Sequence, residues 1–150
     1  MGPFFSGGRV AEGIMAQGRG QTFRLVIVEN DDADVFFIER ALQRAGLDCP
    51  LIWLADGQDA IDYFSGLEDS TLPDLILLDV QVPRRNGFEV LQWLRQHPVY
   101  RQRRIMMLTS SDDPRDIRRA QTLGADQFLT KQTDCREVVE ILERLIRPSP

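Results

Sequence analysis

The residues of this chain that could do chemistry follow four short apolar runs, each at the point where the run ends. These residues are Glu29-Asn30-Asp31-Asp32, Asp79, Thr109-Ser110 and Lys131. Clustered carboxylates make a hard oxygen site that suits Mg²⁺ with retained waters. A carboxylate can also attack phosphorus and form an acyl phosphate, while a Lys ammonium offsets charge on the phosphoryl oxygens. A neighbouring Thr hydroxyl can donate a hydrogen bond to the new group.

Each of these residues has an ordinary structural interpretation when it is taken alone. An Asp after a strand is usually a turn former, Lys131 would be a solvated surface charge, and Thr109 would be a β-branched strand residue. These interpretations weaken if the four strand ends are neighbours in one sheet. The fold that positions the residues therefore decides between chemistry and structure.

The pattern of apolar runs predicts five strand–helix units in series. Residues 74–79 contain a continuous apolar run, which is typical of a strand buried on both faces of a parallel sheet. The other predicted strands are residues 23–28, 51–54, 105–109 and 126–129, and helices are predicted to begin near residues 31, 56, 86, 112 and 134. Alternation of this kind implies right-handed crossovers with helices on both faces of the sheet.

Five such units favour an α/β fold, a flavodoxin-like (βα)5 three-layer sandwich with a five-stranded parallel sheet of order 2-1-3-4-5. In that order the first, third, fourth and fifth strands are consecutive neighbours, so their polar ends converge on one pocket. No GxGxxG motif follows the first strand and no Walker loop is present, so no nucleotide site of either kind is predicted.

Composition limits the domain organisation and the classes of partner. With 150 residues the chain is expected to hold one domain over residues 23–147, after a flexible N-terminal tail at 1–22 and before a short tail at 148–150. Six of the 11 glycines lie in the first 20 residues. The net charge of −5 argues against a nucleic-acid surface. No apolar stretch approaches the length that spans a membrane. Cys49 and Cys135 form no CxxC motif and are expected to be reduced thiols of a cytoplasmic protein.

At the level of motifs the chain resembles the receiver domain of two-component response regulators over residues 23–147. The resemblance rests on Val28-Glu29 with the acidic run after it, Leu77-Leu78-Asp79 with Pro83, Asn86-Gly87, 108–111 and Phe128-Leu129-Thr130-Lys131. The intervals of 30 residues from Asp79 to Thr109 and 22 from Thr109 to Lys131 fit that family. Residues 34–42 and the loop before Asp79 resemble the subgroup associated with bacterial and cyanobacterial phytochrome kinases.

The resemblance implies a role for each matching residue. Asp79 would be the phospho-acceptor, and Thr109 and Lys131 would contact the phosphoryl group, with Phe128 at the aromatic switch position beside Thr109. Glu29, Asn30, Asp79 and the backbone carbonyl of Gln81 would hold Mg²⁺. Because no output domain follows, the chain resembles a single-domain regulator, not an enzyme, that is phosphorylated by a partner histidine kinase.

Two other interpretations remain open, and the first of them rests on a departure from the family pattern. Position 30 is Asn where the family usually has Asp, so the metal site has one carboxylate fewer. A degenerate receiver that acts as a phosphorylation-independent binding module is the first alternative. The second is a small phosphohydrolase with an Asp nucleophile, although Asp79-Val80-Gln81 supplies no second acid.

The sequence also predicts a homodimer. In the last helix Val138, Ile141, Leu142 and Leu145 can face the sheet, which leaves Val139 and Ile146 to one side as an apolar patch. Receivers often pair through helix four, strand five and helix five, so the resemblance implies the same face. The glycine-rich N-terminal arm could instead reach across to the partner.

Overall fold

The computed structural model describes residues 8–11, 23–110, 113–131 and 136–146, with only the backbone path described for 8–11. Its strands are β1 (Gly8–Ala11), β2 (Leu25–Val28), β3 (Leu51–Leu54), β4 (Leu75–Asp79), β5 (Arg104–Thr109) and β6 (Gln127–Thr130). Its α-helices are α1 (Asp32–Arg44), α2 (Gly57–Ser65), α3 (Gly87–Gln96), α4 (Pro114–Leu123) and α5 (Arg136–Ile146). A 3₁₀ turn at Asp69–Thr71 lies in the loop before β4.

Five of the strands are parallel, and their arrangement confirms the predicted fold. The sheet order is β1-β3-β2-β4-β5-β6, which is 2-1-3-4-5 when the count starts at Leu25–Val28. Val28 pairs with Leu54 and Leu78, Asp79 pairs with Leu108, and Thr109 pairs with Thr130. The carboxyl ends of the parallel strands therefore meet along one edge of the sheet.

The sixth strand corrects the expectation for the N-terminal tail. Residues Gly8–Ala11 pair antiparallel with β3, with Gly8 opposite Leu54 and Ala11 opposite Leu51. The prediction of a flexible tail over 1–22 was wrong for these four residues, since they cover the outer edge of the sheet. The sequence gives little sign of this strand, because four residues that begin with glycine are too few to show an alternation of apolar and polar side chains. The rest of the predicted tail, and residues 148–150, lie outside the described residues.

Two apolar layers hold the sheet in place. One contains Leu78, Phe64, Phe88 and Leu94 together with side chains of α2, α3 and α4, and the other contains Leu77, Val35, Ile38 and Leu142 with α1 and α5. All five residues of β4 are buried, as the continuous apolar run predicts. The central strand ending in Asp79 is thus fixed from both faces.

The helices begin and end near the predicted residues because local capping favours those positions. Asp31 and Asp113 accept backbone N–H bonds at the starts of α1 and α4, and Asn86 forms a capping box with Glu89 at the start of α3. Gly124 ends α4 in the left-handed conformation. Asp134, the predicted cap of the last helix, lies outside the described residues.

Helix α5 agrees only partly with the predicted apolar patch. Val138, Ile141 and Leu142 are buried as expected, and Leu145 packs half-buried against the same layer. Ile146 also packs against the protein's own core, although it was predicted to lie to one side. Of the two predicted patch residues, only half-buried Val139 is outside that core cluster.

Within the described residues, no helix is long and apolar enough to cross a membrane.

Candidate functional site

Three of the predicted site residues are buried polar groups at the carboxyl edge of the sheet. Glu29 directly follows β2, Asp79 is the last residue of β4, and Thr109 is the last residue of β5. Their exposed fractions are 1%, 6% and 1%. Polar side chains are rarely buried without a partner or a function, so this edge differs from the rest of the described core.

Lys131 joins these strand ends through its ammonium group. Its Nζ lies 2.7 Å from Glu29 Oε1, 2.7 Å from Asp34 Oδ2 and 3.2 Å from Asp79 Oδ2. Its backbone N–H donates to the Thr109 carbonyl, which attaches the end of β6 to the end of β5. The structure therefore brings Glu29, Asp79, Thr109 and Lys131 together, as the strand order predicts.

Acidic groups outnumber basic ones in this pocket, because three carboxyl groups share one ammonium. Burial raises the pKa of Glu29 to about 8, and the hydrogen bond and charge of Asp79 add to the rise, while Lys131 acts against it. Burial lowers the pKa of Lys131, but hydrogen bonds to Asp34 and Glu29 outweigh it, and the net result is a raised pKa. Lys131 therefore stays charged.

The backbone around Glu29 is held from two sides. The indole N–H of Trp53 donates to the Glu29 carbonyl, and the N–H of Asp31 donates to Glu29 Oε2 at 3.1 Å. The side chain of Asp31 caps α1 by accepting from the N–H of Ala33 at 2.9 Å. Asp31 is therefore committed to the helix cap.

The loop after Asp79 packs closely against the Asp79 carboxylate. The N–H of Gln81 donates to Asp79 Oδ1 at 3.2 Å, which places the Gln81 backbone beside the carboxylate. The N–H of Gly87 donates to the Val80 carbonyl at 2.9 Å. A Cβ at position 87 would stand 2.2 Å from the Asp79 carbonyl oxygen, so only glycine allows this close approach.

Two ion pairs of Arg84, which the sequence did not predict, attach the same loop to α2. Arg84 adopts a left-handed backbone conformation with φ of 66°, which is uncommon for a residue other than glycine. Its guanidinium lies 2.6 Å from Asp56 Oδ2 and 2.7 Å from Asp59 Oδ1. The N–H of Gly57 donates to the Pro83 carbonyl. No sequence motif marks these residues, since the ion pairs link positions that lie 25 or more residues apart.

The predicted metal ligands are placed unequally. Glu29 and Asp79 are both buried, and the charge of Asp79 helps to raise the pKa of Glu29, which fits a hard cation because a shared cation would relieve the repulsion between the two ionised carboxylates. Asn30 and Gln81 are exposed. No group of three or more His, Cys, Asp or Glu side chains is arranged to hold a metal ion within the described part of the chain. A cation at this pocket would therefore keep several waters.

Asp34 and Phe128 complete the description of the pocket. Asp34, in the first turn of α1, contacts Lys131 but was not singled out as a site residue from the sequence. A carboxylate one turn into a helix after a strand-end acidic run is the only signal that could have identified it. Phe128 in β6 is half-buried and packs against the layer that contains Phe88 and Leu94.

Comparison with known proteins agrees with this fold. Residues 25–143 match the family model of the response regulator receiver domain. The chain belongs to this family.

Two relatives have a similar length. Probable methanogenesis regulatory protein FilR2 of Methanothrix harundinacea (strain 6Ac) is 30% identical over 125 residues, which are 82% of this chain and 81% of that protein. Response regulator Rcp1 of Synechocystis sp. (strain ATCC 27184 / PCC 6803 / Kazusa) is 29% identical over 122 residues, 79% of this chain and 83% of that protein. By contrast, the chain spans 49% of the transcriptional regulatory protein PhoP of Bacillus subtilis, to which it is 32% identical.

Solved structures give the same picture. The crystal structure of the Mn²⁺-bound form of response regulator Rcp1 superposes with a TM-score of 0.76 at 27% identity, covering 85% of this chain and 97% of that chain. The phosphorylated cyanobacterial phytochrome response regulator RcpA superposes with a TM-score of 0.75 at 24% identity, covering 87% of this chain and 97% of that chain. The RcpA likeness concerns the fold alone.

Proposed function

We propose that this chain accepts a phosphoryl group on Asp79 from a partner histidine kinase in a Mg²⁺-dependent reaction. The observation that carries the proposal is the buried Asp79 carboxylate, whose Oδ2 lies 3.2 Å from the ammonium of Lys131. A buried nucleophilic oxygen beside a fixed cation is the arrangement that phosphoryl transfer to a carboxylate needs.

The chemistry follows from the positions of these groups. An Asp79 oxygen attacks phosphorus, and the bond between phosphorus and the donor's leaving group breaks. Lys131 offsets charge on the phosphoryl oxygens, and the Thr109 hydroxyl donates a hydrogen bond to the product. Glu29, Asn30, Asp79 and the Gln81 carbonyl are the proposed ligands of Mg²⁺, which when bound supplies further neutralisation of the phosphoryl oxygens. The Mn²⁺-bound form of Rcp1 supports a divalent cation in a relative.

We infer that the partner is a phytochrome-type kinase. The resemblance of residues 34–42 to the phytochrome-associated subgroup supports this inference, and one regulator of the same fold is described as a cyanobacterial phytochrome response regulator. Phe36 and Phe37 on α1, two and three residues after Asp34, are each 50% exposed, and large exposed apolar groups are typical of a docking surface. Helix α1 is the proposed contact of that kinase, and Phe36→Asp with Phe37→Asp should abolish transfer from the kinase while leaving uptake from a small donor unchanged.

A homodimer through α4, β6 and α5, or through the N-terminal arm, remains our proposal for assembly. Strand β6 is an edge of the sheet with partly exposed side chains, which favours the first face. The core position of Ile146 leaves Val139 as the better residue to alter. Light scattering of the full chain at tens of micromolar should give the mass of two chains, and Val139→Asp should give the mass of one.

The degenerate-receiver alternative is favoured by one observation, the exposed Asn30 in place of an acid. Incubation with Mg²⁺ and phosphoramidate, followed by mass measurement, separates it from the main proposal. Wild-type protein should gain one phosphoryl group and Asp79→Asn should gain none. Asp32→Asn, which removes an exposed acid in α1, is the matched control and should react like wild type. No uptake by wild type would favour the binding module.

A further inference from the structure

The Lys131 ammonium has no donor to spare in this structure. An ammonium carries three N–H donors, and three carboxylate oxygens lie within reach of it, from Glu29, Asp34 and Asp79. A phosphoryl oxygen on Asp79 can bind Lys131 only if one of these oxygens gives up its place. Which carboxylate yields is therefore a property of this chain that affects the proposed reaction.

Burial decides which carboxylate yields most easily. The side chains of Glu29 and Asp79 are 2% and 7% exposed, whereas that of Asp34 is 32% exposed. A carboxylate that water can reach loses little when it releases its partner, while a buried one needs another cation in place of the ammonium. Asp34 can therefore exchange Lys131 for water.

The contact between Asp34 and Lys131 is nevertheless well formed. The distance of 2.7 Å is shorter than the 3.2 Å from Lys131 to Asp79 Oδ2. Val35 and Ile38, on the same helix, are buried against the sheet and fix the first turn of α1 over the pocket. The approach of Asp34 is thus set by packing of the helix.

We propose that Asp34 is a positioning residue that holds the Lys131 ammonium in the unphosphorylated protein and competes for it with the incoming phosphoryl group. This inference rests on the proposed function and adds a control on its rate. Asp34 acts through Lys131 and touches neither the donor nor the phosphorus. When Asp79 is phosphorylated, Asp34 releases Lys131, so the first turn of α1 exchanges this ion pair for water.

The test compares Asp34→Asn with Asp32→Asn, because both remove one negative charge from the same helical turn. With phosphoramidate and saturating Mg²⁺, Asp34→Asn should be phosphorylated about threefold faster than wild type, or more, which is the size of effect expected for coupled neighbours. Asp32→Asn should react at the wild-type rate. Asp34→Glu, which keeps a carboxylate within reach of Lys131, should return the rate towards that of wild type.

A second measurement needs no phosphorylation. The ¹⁵N resonance of Lys131 Nζ should move in Asp34→Asn and stay in place in Asp32→Asn, and an unmoved resonance would overturn the contact. Equal acceleration by both Asn variants would show an effect of net charge and would also overturn the inference. Wild-type protein that takes up no phosphate would overturn the proposed function, and the competition with it, even if the resonance moves.

Discussion

Lys131 and Arg95 are each surrounded by oxygen atoms, but the charge on those oxygen atoms differs between the two sites. Lys131 contacts three carboxylates in the pocket at the carboxyl edge of the sheet. Arg95 in α3 donates to the carbonyls of Gly124, Tyr100, Arg101 and Arg103, at 2.8, 3.3, 3.0 and 2.7 Å, and to Asp126 at 2.9 Å.

The two sites differ in charge balance. Arg95 has one carboxylate and four neutral carbonyls, so its charge is matched and its donors are satisfied by the loops it joins. The Lys131 pocket has three acids for one ammonium, and burial, with the hydrogen bond and charge of Asp79 adding to it, raises the pKa of Glu29. A balanced cation stabilises a fold, whereas an excess of buried acid favours the arrival of a cation or a proton. Functional sites commonly carry such strain at the expense of stability.

The largest effect is expected from removing the balanced cation. Arg95→Met should lower the free energy of unfolding by about 2–3 kcal/mol, because part-buried carbonyls at Tyr100 and Arg103 lose their donor. Urea unfolding followed by circular dichroism measures the loss. Arg95→Lys keeps the charge but not the planar guanidinium, so its free energy of unfolding should lie between those of Arg95→Met and wild type. Arg101→Met, at an exposed side chain, is the control and should change stability by less than about 0.5 kcal/mol.

The unbalanced pocket should respond in the opposite direction. In EDTA at pH 8, Glu29→Gln should raise the free energy of unfolding by about 1 kcal/mol, because it removes a desolvated acid whose pKa is raised. The folded protein binds the Glu29 proton more tightly than the unfolded chain does, so this group's contribution falls as pH rises from about 4.5 to about 8.

The pH dependence of the free energy of unfolding independently checks the direction predicted for Glu29→Gln. At pH 4.5 and below, Glu29 is protonated in the folded state, and the gain from Glu29→Gln should largely disappear. Unfolding at several pH values in EDTA measures the difference between the variant and wild type. A gain that is equal at low and high pH would place its cause in packing, and a loss at pH 8 would contradict the charge argument.

Most of the fold and most of the pocket could be predicted from the sequence, for physical reasons that differ by residue. Glu29, Asp79, Thr109 and Lys131 each end an apolar run, and the strand order alone brings them together. Asp34 could not be identified in the same way, because its contact with Lys131 spans 97 residues and depends on where α1 packs.

The Arg95 contacts were missed for a related reason. Four of its acceptors are backbone carbonyls, which carry no side-chain signature, and their positions depend on loops between elements. Strand β1 was missed because an edge strand needs no alternation of apolar residues when its partner is already in a sheet. Local patterns predict elements and strand ends well, whereas contacts through loops and helix faces need the packed structure.

The smallest effect is expected at Asn30, and it tests whether the missing carboxylate at position 30 weakens the proposed Mg²⁺ site. Asn30→Asp adds a carboxylate beside Glu29, so Mg²⁺ should bind more tightly. Asn30 is exposed, however, and water screens a charge there. We therefore expect a gain of less than about tenfold in affinity, well below the roughly 4 kcal/mol of an unscreened contact at 4 Å.

Calorimetric titration with Mg²⁺ measures the change in affinity, and Asp31→Asn, which alters the α1 cap instead, is the neighbouring control. An unchanged affinity in Asn30→Asp would mean that position 30 is too far from the cation, and that the two buried acids bind it without help.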